Sequence, residues 1–271
     1  MIAVELAKLF GRPRTWLTIA LLDALPTVVA ILLAVTGIGP RPGQGPAFLS
    51  AVLANGQLFA VAALAIVLPL FLPIAVAVVA GDTIAGEASS GTLRYLLVRP
   101  VGRTRLLVAK LVSVATFVVV AVVVVATTGY LVGRALLGNQ PLSAAVTSVS
   151  GSSLTPGQIL WRIVLAVAFI AFSMLGVAAM AVFLSTLTDS PLVATLGALA
   201  FLVGSSLLLT IDAAGALQPY LPTRYWLSFV DLFRDPILWS NIQRGVALQL
   251  VYVAVLLAAA WANFQTKDIK S

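Results

Sequence analysis

Cysteine and histidine are both absent from this sequence. Without them the chain has no disulfide, no thiol nucleophile, no imidazole metal ligand and no serine–histidine dyad. Charged residues are scarce as well, at 9% of 271 residues, against roughly 25% in a soluble domain. A water-soluble fold of this size could not cover its surface with so few charges. The 61% of residues that are hydrophobic therefore indicate a membrane protein.

The charges that are present are mostly basic, with sixteen Lys and Arg against nine Asp and Glu. Most of these basic residues flank apolar runs and do not form one patch. Basic residues at the ends of membrane spans contact anionic headgroups and set topology. The net charge of +7 thus indicates a lipid partner and excludes a nucleic acid partner.

Six apolar segments are long enough to cross a bilayer, which takes about 20 residues of helix. They define one all-α transmembrane domain over residues 1–271, with spans at residues 16–36, 58–80, 106–132, 159–184, 192–211 and 246–264. Pro69 and Pro73 predict a bent second span.

Residues 1–14 precede the first span and carry a short helical pattern. Ile2, Leu6, Leu9 and Phe10 recur at the spacing of one helix face, and the pattern breaks near Pro13. This favours a helix lying in the membrane interface. The alternative is an ordinary charged tail before a span.

The distribution of Lys and Arg predicts the orientation of the chain. With a cytoplasmic N-terminus, ten of the sixteen basic residues fall in cytoplasmic segments, clustered at residues 8–14, 94–110 and 267–270. We therefore expect both termini in the cytoplasm. The richness in Ala and Val and the basic composition favour the inner membrane of a bacterium.

The stretch between the second and third spans, residues 81–110, is longer than a helix–helix turn of about 2–8 residues. Asp82 or Thr83 could cap one short helix, and Thr92 could cap another that Pro100 ends. Such a folded elbow suits docking on a soluble partner. The residues support equally a basic anchor that binds lipid headgroups.

The same stretch resembles the pattern of the type-2 ABC exporter permeases. In that family an acidic residue precedes Gly-Thr-Leu, and a Leu pair, a Pro, an Arg and a Lys lead into the third span. The residues that carry the resemblance are Glu87, Gly91, Thr92, Leu93, Leu96, Leu97, Arg99, Pro100, Arg103, Leu107 and Lys110. The interfacial helix, the six spans and the short loop at residues 185–190 fit the family as well. Two positions depart from the family pattern: a basic residue often follows the acidic one, where this chain has Ala88, and a basic or neutral residue is common where this chain has Asp189.

The resemblance implies the permease subunit of an ATP-binding cassette exporter in the cell membrane. A coupling helix near residues 81–91 would enter a cleft of a separate ATPase subunit, which would hold ATP and Mg²⁺. A second copy of this permease, or a homologous permease, would complete the export path as a dimer. The residues implied in coupling are Glu87, Gly91, Thr92, Arg94, Thr188 and Asp189.

No motif predicts catalysis, a cofactor or a metal site in this chain. Gly86 and Gly91 have the spacing of a phosphate-binding loop, but Thr92 and Leu93 replace its Lys and Ser/Thr. The lysine that contacts the β- and γ-phosphates is thus missing. We expect ATP hydrolysis in another subunit.

Asp23 is the one acidic residue well inside a predicted span, where a charge costs at least ~2.5–3.5 kcal/mol. It must therefore face protein or a cavity. It either lines the export path or, as we favour, accepts a structural hydrogen bond from a Ser or Thr on a neighbouring span.

Two rival functions stay open at this stage. An ion-driven secondary transporter would need several charged residues well inside its spans, and only Asp23 lies more than four residues from a span end. A membrane scaffold that transmits force to an assembly factor would share every sequence feature of an exporter. The apolar interior favours hydrophobic or amphipathic cargo.

Overall fold

The computed structural model describes residues 1–39, 48–53, 55–91, 102–137, 146–147 and 153–266. Eight α helices lie within these residues: α1 (Ile2–Phe10), α2 (Pro13–Thr36), α3 (Phe59–Val67), α4 (Phe71–Ser89), α5 (Arg103–Leu136), α6 (Pro156–Leu187), α7 (Pro191–Leu208) and α8 (Trp239–Thr266). Short 3₁₀ helices occupy Leu49–Ala51, Gly56–Leu58, Asp212–Ala214, Gln218–Tyr220 and Trp226–Phe233. Val146–Thr147 and Ser153–Leu154 form a two-residue antiparallel ladder between α5 and α6.

Six of these helices, α2 and α4 to α8, are long and apolar enough to cross a membrane. The prediction of an all-α, multi-pass membrane protein is thus confirmed. Helices α2, α7 and α8 expose large apolar side chains such as Leu17, Leu192 and Val255. Those side chains would be unfavourable in water, and lipid can cover them.

The second predicted span consists of two helices. Helix α3 ends at Val67 and α4 begins at Phe71, so the bend expected from Pro69 is a complete break. Pro69 has no N–H to donate to the carbonyl four residues earlier, and it therefore interrupts the helical ladder. Pro73 lies in the first turn of α4, where the missing N–H costs no helical bond.

The separate coupling helix expected at residues 81–91 is absent from the described residues. Helix α4 instead continues without interruption from the membrane region to Ser89. Asp82 and Thr83 lie inside α4 and cap nothing, so that prediction was wrong. The helix is already formed before residue 81, and no proline between there and Gly91 interrupts it. Gly91 has a φ of 68°, in the left-handed region where helices commonly end.

The core lies around α3 and α6. Every residue of α3 except Ile66 is buried, chiefly against α5. A Cβ at Gly133 of α5 would lie 2.2 Å from the carbonyl oxygen of Gly56, so the two backbones meet only because both residues are glycine. Helix α6 packs on α4, α7 and α8.

The spans alternate in direction and create two distinct ends. We call the basal end the one where α1, the end of α4, the start of α5, the α6–α7 loop and the end of α8 meet. There Arg103 Nη1 donates to the carbonyl oxygens of Phe264 (3.2 Å) and Gln265 (2.7 Å). The distal end carries residues 209–238, which contain three of the 3₁₀ segments.

Candidate functional site

Helix α1 turns its charged residues towards the protein. The carboxylate of Glu5 and the ammonium group of Lys8 face α4 and α5, whereas Ile2 and Val4 are exposed. The predicted N-terminal helix is therefore present, but protein carboxylates and amines, not lipid headgroups, pair with its charges. Its outward side is apolar, as expected of a helix lying against lipid.

A cluster of two amines and two carboxylates joins α1 to α4 and α5. Lys110 Nζ lies 2.7 Å from Glu87 Oε2 and 3.4 Å from Glu5 Oε2, and Lys8 also pairs with Glu87. Lys110 and Glu87 are only 1% and 5% exposed. Buried charges of this kind are stable only when paired, so the cluster holds α1 in one position on the bundle.

A second ion pair lies one turn away on α4. Asp82 accepts a hydrogen bond from Arg12 Nη1 at 3.1 Å and another from Arg14, so two guanidinium groups share one carboxylate. A Cβ at position 86 would lie 2.4 Å from Asp82 Oδ1, so Gly86 leaves the space that this carboxylate occupies.

The last turn of α6 contacts α4 through Ser185. The Ser185 hydroxyl donates to the carbonyl oxygen of Gly81 at 2.7 Å and accepts from the N–H of Ala85 at 2.8 Å. A regular α helix joins these two backbone groups directly. The Ser185 hydroxyl therefore shares both groups of one helical turn and couples the two segments.

The predicted coupling residues take several different positions. Glu87 is buried in the cluster, and Gly91 follows the end of α4. Thr188 accepts a hydrogen bond from the N–H of Ser190 at 3.1 Å, and Asp189 beside it is exposed. Thr92 and Arg94 lie outside the described residues.

The partners of Glu87 were not predicted from the sequence. Lys8 and Glu5 lie 79 and 105 positions from the residues they pair with, and Lys110 was noted as a basic residue near a span and as part of the family pattern, not as a partner of Glu87. The available signal was that a positive-inside topology brings to the same side the segments that hold these side chains, namely Glu5, Asp82, Glu87, Lys8, Arg12, Arg14 and Lys110.

Asp23 has the structural partner that we favoured. Thr128 Oγ1 of α5 donates to Asp23 Oδ1 at 2.7 Å, and both side chains are half-buried.

Among the described residues, no group of three or more Asp and Glu is placed to hold a metal ion.

No curated protein matches this chain. A family model matches residues 44–270, which include α3 to α8 and leave out α1 and α2. The match covers most of the chain, and the protein therefore belongs to the family described as "Protein of unknown function (DUF2705)".

Proposed function

We propose that this chain is the permease subunit of an ATP-driven exporter, with a separate ATPase docked on its basal end. A second permease copy, or a homologous permease, completes the path. The proposal places both termini in the cytoplasm and the protein in a bacterial inner membrane. It rests on the resemblance of residues 81–110 to type-2 exporter permeases and on one feature of the fold.

That feature is the contact between the two segments that the resemblance assigns to the partner. Residues 81–91 and 185–190 are about a hundred positions apart, yet Ser185 bonds directly to the backbone of Gly81 and Ala85. One docked subunit could therefore contact both segments at once.

The surface offered to the partner is formed by exposed residues next to this contact. Ser89 ends α4, Leu187 ends α6 and Asp189 follows it, and all three are exposed. An exposed leucine beside polar groups at the end of a span is a suitable centre for a protein interface.

Glu87 has a different role in this proposal from the one expected. Its carboxylate is committed to Lys8 and Lys110, so it positions α1 and the end of α4 and does not enter the ATPase cleft. The loss of Glu87 would change coupling through the position of these helices.

In this proposal helix α4 transmits the movement of the docked ATPase to the membrane region. It is continuous from Phe71 to Ser89, so a displacement of its basal end would reach the break at residues 68–70 as a change of tilt. Breaks of this kind absorb backbone rotation in hinged motions. Alternating tilt of α4 against the rigidly buried α3 would open the path to each side in turn.

The test is affinity purification of the tagged chain from its native membranes in mild detergent. We expect a P-loop ATPase in stoichiometric amount, identified by mass spectrometry, and ATP turnover that the separately expressed chain lacks. Recovery of the chain without any P-loop protein, from membranes in which it is functional, would contradict the proposal.

A matched pair of variants makes this test specific for the basal end. Leu187→Asp places a charge in the proposed interface, and Leu217→Asp places one at the distal end, where the leucine is equally exposed (55% and 57%). Only Leu187→Asp should lose the ATPase, because only it puts an unpaired charge into the contact. Equal recovery with both variants would exclude this surface.

A further inference from the structure

The basal end contains a cavity of about 910 Å³ beside the charge network. Its walls come from α1, the start of α2, the end of α4, the start of α5 and the start of α7. Part of the lining is charged, and part is apolar, including Leu9, Val78 and Leu192.

The charges in this cavity do not balance. Four basic residues line it, Lys8, Arg12, Arg14 and Lys110, against the three carboxylates of Glu5, Asp82 and Glu87. The two lysines pair with Glu5 and Glu87. The positive charge in excess therefore belongs to Arg12 and Arg14, which share Asp82.

Both arginines remain accessible to a ligand. The side chains of Arg12 and Arg14 are 35% and 59% exposed, and each guanidinium group has five N–H donors, of which Asp82 engages few. Two adjacent guanidinium groups with spare donors match the oxygens of a phosphate group, which can accept from both.

The apolar wall indicates that the anion carries a hydrocarbon chain. Val78 and Leu192 line the cavity and are exposed, so apolar surface continues from the arginines towards the membrane. Trp16, two residues after Arg14, is exposed as well. Exposed tryptophans at span ends mark the depth of the lipid headgroups.

We infer that this cavity binds an amphiphile with an anionic phosphate headgroup, with the phosphate at Arg12 and Arg14 and the chain along Val78 and Leu192. The site uses only residues of this chain, so it does not depend on a docked ATPase. It goes beyond the proposed function, because it identifies a lipid-like ligand.

The test measures the binding of phosphatidylglycerol to the purified, delipidated full-length chain. Native mass spectrometry and the shift in unfolding temperature report the binding. Arg12→Gln/Arg14→Gln should bind at least about tenfold more weakly, because one charge-assisted hydrogen bond alone contributes about that factor and the double variant removes two guanidinium groups. Arg105→Gln is the control, because Arg105 is exposed near the basal end but does not line the cavity. Its binding should equal that of the wild type.

Asp82→Asn tests the same site in the opposite direction. It removes the carboxylate that competes for both arginines, so phosphatidylglycerol should bind about fivefold more tightly. Unchanged or weaker binding would overturn the proposal, even if the double arginine variant failed to fold. A purely structural role for Asp82 predicts no gain.

Two further ligands distinguish the parts of the amphiphile. Diacylglycerol, which has the chains without the phosphate, should bind at least about tenfold more weakly than phosphatidylglycerol. Glycerol phosphate, which has the phosphate without the chains, should not displace the lipid at millimolar concentration. Equal binding of diacylglycerol would overturn the role of the arginines, and displacement by glycerol phosphate would overturn the role of the apolar wall.

Discussion

The two ends of this bundle use charged residues in different ways. At the basal end, Lys110 and Glu87 are almost fully buried, and their cluster joins three helices that are distant in sequence. At the distal end, Asp231 accepts from Arg234 Nε and Asn241 Nδ2 at 2.8 and 2.9 Å, all within ten residues. Basal charges therefore fix the arrangement of helices, whereas these distal charges shape a local segment.

Arg162 is the distal residue most similar to Lys110. It is 5% exposed and donates to the carbonyl oxygen of Arg234 at 3.0 Å. Its carboxylate partner Asp235 lies 3.7 Å away, and the Asp235 side chain is 45% exposed. A partner that remains in contact with water loses little when the pair is broken. The comparison thus predicts unequal costs for removing these two buried cations.

The largest effect is expected from Lys110→Met. Removing this ammonium group leaves the carboxylates of Glu5 and Glu87 close together and short of a cation. The cost should be about 3–5 kcal/mol, as for other buried pairs that lose one partner. Thermal unfolding of the purified protein in detergent measures it. Adding Glu87→Gln to Lys110→Met should recover part of the stability. If Lys110→Met alone were as stable as the wild type, Lys110 would not hold the helices together.

Arg162→Met should cost less, about 1.5–3 kcal/mol, the range for a hydrogen bond to a charged group. The same thermal unfolding measurement compares its loss of stability with that of Lys110→Met. A loss at Arg162 larger than the loss at Lys110 would reverse the comparison between the two ends.

Sequence reasoning succeeded where the signal was local. The six apolar runs and the bend at Pro69 follow from composition and from the missing proline N–H. The ion pairs of Glu87 could not be derived in this way, because the same carboxylate could pair with another subunit. They depend on the packing of α1, α4 and α5, which joins residues up to 105 positions apart.

The smallest effect is expected inside the membrane region, from Thr128→Val. This variant removes the hydroxyl that donates to Asp23. Hydrogen bonds between membrane helices average about 0.6 kcal/mol and reach about 1.7, so stability should fall only slightly. Thr128→Ser retains the hydroxyl and serves as the control. The proposed export should continue with both variants. Its loss in Thr128→Val without a loss of stability would place Asp23 in the proposed path.

The central claim is that the basal end faces the cytoplasm, where an ATPase could dock. The chain has no cysteine, so single cysteines can be introduced cleanly. Ser89→Cys at the basal end and Leu217→Cys at the distal end are both exposed positions. In intact cells a membrane-impermeant maleimide should label Leu217→Cys and leave Ser89→Cys unlabelled until the membrane is opened. Labelling of Ser89→Cys in intact cells, with Leu217→Cys protected, would contradict the account.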